Sequence, residues 1–236
     1  MRKRDPDTVI DRFAREAGAA SDDLMTVLDT LQVGGVDLRL RRLVAQDTFL
    51  RMAVRFEVFK SDWFIAAVNR APTQYRHHLT DQVRKKIRAE PNLKPLEDHI
   101  DVRLPAHLTL AQVDALLNPH GWNVSAATAT EFKNLGGLVL HGDYRVRATT
   151  IGARNQRTIE TVTALRNLIV HQSPASHLHW EAAFTAASRD DLRNPVLPPR
   201  ATAIPAFLHS SSGGTRRVVV LLERMVKVAE HLRVAR

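Results

Sequence analysis

An all-α helical bundle is the fold class this sequence predicts, and three observations carry it. Apolar residues recur at helical spacing through 40–69, 159–171 and 218–232. Helix punctuation marks several boundaries: Ser21, Thr109 and Ser173-Pro174 read as starts, Glu90-Pro91 as a stop. Only one short stretch, 138–147, alternates as a strand would. At 236 residues the chain can bury a sizeable core. We expect N-terminal helices in 1–36, the bundle in 37–190, a Pro/Ser-rich connector in 191–215 and a basic amphipathic helix in 216–236.

Taken in order, Val9, Ile10 and Phe13, then Leu24, Leu28 and Leu31, give helical spacing. Ser21 before Asp22 and Asp23 resembles a cap, so two short helices broken near Gly18 are predicted, followed by a turn at Gly34-Gly35. The longest helical signal, 40–69, carries Phe49, Phe56, Phe59, Trp63 and Phe64 on more than one face, so it should be central. Its polar stripe is Arg51, Arg55, Asp62 and Asn69. Pro72 opens a helix over 73–89, and 92–107 reads as a proline-punctuated loop. Thr109 caps a helix through Leu110, Val113, Leu116 and Leu117 to Asn118-Pro119, with a turn at 120–122. Residues 128–135 form a short helix ending at Gly136-Gly137. The stretch 138–147 is a small hairpin or an irregular approach to the next helix.

The charge balance, 34 Lys and Arg against 25 Asp and Glu, gives +9 and suits a polyanionic partner. Three places hold much of the excess: Arg2-Lys3-Arg4, residues 76–88 and the last helix. On 73–89, Arg76, Arg84, Lys85, Lys86 and Arg88 are candidate RNA contacts, with Tyr75 available to stack a base. The alternative is a solvated helix whose Tyr75 and Leu79 pack inward. Arg145, Arg147 and Arg154 are further candidates for substrate contact.

Several function classes lack their residues. With no cysteine there is neither disulfide nor thiolate chemistry. Gly34-Gly35, Gly136-Gly137 and Gly213-Gly214 lack the flanks of a phosphate-cradling loop, and no nucleophile elbow is present. His177 and His179, two apart, point to different sides of a helix, so no joint metal site is expected, and no cofactor is implied. The N-terminus has no apolar signal core and no run has the length of a membrane span, so a cytoplasmic protein without membrane contact is expected.

The chemistry-bearing stretch is 159–171, an amphipathic helix whose end carries Arg166, Asn167 and His171. Asn167 and His171, four apart, are neighbours on one face. Arg166 is rotated about 100° from Asn167, but its length lets it swing toward the imidazole. Ser173 and Pro174 then start the next helix. Glu57 falls on an apolar stripe between Leu50 and Phe64 and should point into the bundle, where a carboxylate needs a cation. It either holds Arg166 or pairs with Lys60 or another surface base.

Arg166-Asn167 followed by His171, closing an apolar helix in an all-helical chain, resembles the HEPN superfamily of helical-bundle ribonucleases, and Ser173 is similar to a serine that follows the histidine in some branches. The resemblance spans roughly 40–189 in helix order, with specificity confined to the six motif residues. Gln172 stands where many relatives have glycine. It implies metal-independent cleavage of RNA by a homodimer that brings two motifs together, in a toxin or phage-defence setting with an antitoxin or regulatory partner. Histidine suits either proton role because its unperturbed pKa is ~6.5. On this reading His171 transfers the proton, Arg166 stabilises phosphate charge, Asn167 orients, and Glu57 and Ser173 support. The alternative is a non-catalytic helical module that binds RNA or protein, with Arg166 and His171 as a structural clamp.

Overall fold

The computed structural model describes residues 4–94, 108–117, 126–188 and 200–234. Within them the only strand pairing is a two-residue antiparallel ladder, so the chain is all-α as expected. The sequence expectations for Arg2 and Lys3, for the loop at 95–107, for the turn at 120–122 and for the first part of the connector lie outside the described residues.

Helix α1 (Pro6–Val33) starts where Asp5 accepts a hydrogen bond from the Asp7 amide at 3.1 Å, with proline at the first position. It is continuous, which corrects the predicted break near Gly18. The missing Gly18 side chain faces open space, while Phe13, Ala17, Ala20 and Leu24 carry one buried stripe across it. An exposed helical glycine costs ~1 kcal/mol, less than burying a single large apolar side chain returns.

Helix α2 (Leu38–Arg70) is capped by Asp37 and runs antiparallel to α1. The Arg4 amide donates to Asn69 Oδ1 at 3.1 Å, Phe13 stacks on Phe59 at 4.7 Å, and Glu16 faces Arg55 at 3.4 Å. The expected polar stripe therefore splits along its length. Arg51 and Arg55 are exposed, Asp62 pairs with Arg4 and Arg12, and Asn69 is buried, donating Nδ2 to the Leu108 carbonyl at 2.6 Å.

The remaining helices cover this pair. α3 (Thr73–Ala89) packs on α5, and α4 (Leu110–Leu117), started by Thr109, buries Val113 near α2. α5 (Ala129–Val139) begins with a capping box between Thr128 and Glu131 and runs through Gly136-Gly137 rather than stopping there. The reason is a close crossing: a Cβ at Gly136 would lie 2.5 Å from Ala148 Cβ on α6 (Gly142–Thr149). The predicted hairpin at 138–147 is thus the end of α5 and most of α6, with Gly142 at φ 57 making the corner. Val139 and Leu140 are buried against helices, which leaves their alternation no partner strand.

α7 (Ala153–His171) and α8 (Pro174–Ser188) form an antiparallel hairpin. Part of the segment expected to be a connector is ordered: a 3₁₀ turn (Ala201–Ala203), α9 (Ile204–His209), and strands β1 (Ser211–Ser212) and β2 (Thr215–Arg216) around Gly213-Gly214. Ile204 and Leu208 are fully buried, and Phe207 packs edge-on to Trp180 at 5.9 Å, so apolar anchors outweigh the turn-prone composition. α10 (Arg217–His231) lays Val218, Leu221, Leu222, Met225 and Ala229 on α1, α2 and α7 of its own chain.

Candidate functional site

The end of α7 is built by three local features. Val162, Leu165 and Leu168 anchor one face in the core. Gln172 takes the left-handed conformation, φ 48, and its amide closes the last turn on the Leu168 carbonyl at 3.2 Å. Ser173 Oγ then accepts from the Ser176 amide at 3.2 Å and starts α8. Ser173 is accordingly occupied as a helix cap.

Arg166 and Asn167 are half-buried and His171 is exposed. Arg166 Nη1 donates to Asn167 Oδ1 at 2.9 Å, and its Nε lies 3.7 Å from Glu57 Oε1 on α2. That separation is ion pairing rather than a hydrogen bond. Of the two partners expected for Glu57, the structure brings Arg166 within pairing distance. Both side chains keep more than a quarter of their surface, 27% for Arg166 and 30% for Glu57, so neither is sealed from solvent. His171 stands five residues beyond Arg166, about 140° round the helix. Among the described residues no hydrogen bond joins the two, so the expected swing of the guanidinium toward the imidazole is replaced by its contact with α2.

Beside this pair lies a polar cluster that composition and spacing did not single out. Lys60, one turn after Glu57, is 3% exposed, which corrects its expectation as a surface base. Its ammonium donates to the Ala126 carbonyl at 2.7 Å and sits 5.6 Å above the Phe56 ring. Burial pulls its pKa down to about 8 against the opposing pull of Glu57, then Glu160 and Glu131. From α7, Glu160 Oε1 accepts from the Ala129 amide at 2.7 Å and Thr163 Oγ1 donates to the Ala127 carbonyl at 3.0 Å. Glu160 Oε2 also lies 3.7 Å from His179 Nε2 on α8. Three side chains from two helices thus fix the backbone entering α5. The available signal was spacing: Lys60 lies four residues from both Phe56 and Phe64 on the buried stripe, where an apolar residue belongs. Among the described residues no three His, Asp or Glu side chains group as metal ligands.

The basic residues of α3 stand apart from α7. Arg84, Lys85, Lys86 and Arg88 are exposed and Arg76 is half-buried. Tyr75 is 2% exposed, so of its two readings the structure shows inward packing and not a ring free to stack on a base; burial pushes its phenol up to about 12. Of the other candidates, Arg145 is exposed, and the Arg147 carbonyl meets His231 Nε2 at 3.1 Å. Arg154 lines a shallow cleft with Arg157, Thr161 and Arg224, on a different side of α7 from Arg166.

The fold and this geometry define an all-α bundle with a half-open ion pair and an exposed histidine at one helix end. No family model, curated protein or solved structure matches the chain. No helix among the described residues is long and apolar enough to cross a membrane.

Proposed function

We propose that the protein is a metal-independent endoribonuclease of HEPN type that works at the end of α7. The observation that supports it most is the arrangement of Arg166, a fixed but solvent-reachable cation held by Glu57 and Asn167, on the same helix end as the exposed His171. In such a site a general base takes the 2′-hydroxyl proton as the 2′-oxygen attacks phosphorus, and a general acid protonates the departing 5′-oxygen. A guanidinium offsets charge on the phosphorane-like transition state. The products are a 2′,3′-cyclic phosphate and a 5′-hydroxyl.

One chain supplies one such histidine, and two proton transfers are needed. A homodimer that apposes two α7 ends supplies both. Val170, next to His171 in α7, is 49% exposed and Leu178 in α8 is 68% exposed, apolar side chains that suit burial by a second copy. The cations of α3 would hold flanking phosphates. A toxin or defence role, with an antitoxin or regulatory partner, belongs to the same proposal.

A second reading has its own support: Arg166 turns to α2 and not to His171, as it would in a structural clamp of a non-catalytic RNA- or protein-binding module. Purified protein incubated with mixed RNA in EDTA separates the two. Loss of cleavage in His171→Ala with unchanged helicity supports the enzyme; intact RNA with both proteins supports the module.

A further inference from the structure

We propose that Arg41, Arg42, His209, Arg216 and Arg217, gathered where the start of α2 meets the end of α9 and the start of α10, form a binding site for a phosphate-bearing anion. Arg42 and Glu57 are fifteen residues apart on α2, about 22 Å along the helix. The site is therefore separate from the end of α7.

The first ground is charge without compensation. Arg41 Nη1 donates to Gln32 Oε1 at 3.3 Å, Arg216 Nη1 donates to the His209 carbonyl at 3.1 Å, and Arg217 Nη1 donates to Ser210 Oγ. The Arg217 guanidinium also lies 5.1 Å above the Phe207 ring. Arg42 has no polar partner among the described residues, and none of these four arginines has a carboxylate there. Elsewhere Arg4, Arg12, Arg55, Arg166 and Arg233 all meet acids. With α2 packed on α9, Arg41 and Arg42 join Arg216 in the field at His209, and Arg217 follows directly in the chain. Cations gathered without an acid raise the free energy of the folded chain unless an anion joins them.

The second ground is unmet hydrogen bonding. The Nε atoms of Arg41, Arg42, Arg216 and Arg217 are all shielded from solvent and have no acceptor. Unsatisfied shielded donors are costly, and donors beside positive charge suit an oxyanion. His209 fits this field as a neutral ring. Burial, then Arg216, Arg41 and Arg42, lowers its pKa, and its Nε2 faces Arg216 Nη1 at 3.1 Å as an acceptor. α10 begins here with no side-chain cap and no acid in its first turn; the Arg217 amide is taken by the Ser210 carbonyl at 2.9 Å, and the helix dipole adds positive potential at this end. Forked guanidinium donors match phosphate oxygens, which favours phosphate as the ligand chemistry.

A free phosphorylated small molecule and the backbone of an RNA strand share that chemistry, and binding measurements separate them. Full-length protein is titrated calorimetrically with inorganic pyrophosphate, with a single-stranded oligoribonucleotide and with poly-glutamate. Saturable pyrophosphate binding that weakens at least tenfold in Arg42→Gln and in Arg216→Gln identifies a small-ligand site. Binding of the oligonucleotide alone, with the salt dependence falling by about 0.7 in log–log slope per removed arginine, identifies a strand-binding site. No cleavage is required for either result, so failure of the nuclease proposal leaves this test intact. Arg42→Gln should also raise the melting temperature without ligand, because it relieves repulsion and breaks no contact. Equal affinity for poly-glutamate, or phosphate affinity unchanged in both variants, overturns the proposal.

Discussion

Gln172 and Lys60 show what single residues contribute. At φ 48 the Gln172 side chain crowds its own backbone, a conformation that glycine takes freely. Gln172→Gly should therefore stabilise the protein by about 0.5–1 kcal/mol, read from the urea midpoint at constant m-value. Lys60 has its pKa pulled from 10.5 down to about 8 by burial. Between those values the unfolded chain holds more protons than the folded one, so stability must rise with pH there and be flat below about 8. For wild type relative to Lys60→Met, the gain from pH 8 to 10 should be about 2 kcal/mol. Parallel stability curves for the two proteins would show that the ammonium is not buried. Lys60 was legible only as an anomaly on an apolar stripe. That Ala126 would supply its acceptor depends on a contact 66 residues away, which spacing along one helix does not encode.

At the scale of elements, α1 and α10 were readable because each buries one stripe at a 3.6-residue period, and α2 and α7 because their apolar residues keep helical spacing even where burial extends round the helix. Glycines misled, for a physical reason. Gly136 permits a close helix crossing and Gly18 faces solvent, and neither role differs locally from a helix stop. Gly136→Ala should force α5 from α6 and cost about 1–3 kcal/mol, measurable by thermal melting with unchanged helical content near 25 °C. α9 was hidden by the opposite effect, since its proline-rich surroundings resemble a linker while Ile204 and Leu208 bind it to the core. At the candidate site, Arg166, Asn167 and His171 were legible as a motif. Arg166 was one of the partners expected for Glu57, the other being Lys60 or another surface base, and only the packing of α7 on α2 chose between them.

Across the whole molecule, the first helix and the last one meet. Arg233, beyond α10, holds Asp11 of α1 at 2.7 Å and its neighbour Glu230 at 2.9 Å, contacts that keep its guanidinium charged. One buried cluster runs from Val9 to Leu232, so α10 completes the core. Val170 beside His171 and Leu178 on α8 stay exposed, and a second copy is the occupant proposed for them. Leu178→Asp should shift sedimentation toward monomer and reduce RNA cleavage together, whereas a monomeric wild type that cleaves RNA would remove the need for two apposed histidines. The proposed chemistry itself is most directly tested by the ends it leaves. RNA incubated in EDTA with wild-type protein should carry 2′,3′-cyclic phosphate and 5′-hydroxyl termini, absent with His171→Ala. RNA left intact, or fragments bearing 3′-hydroxyl ends, would contradict it.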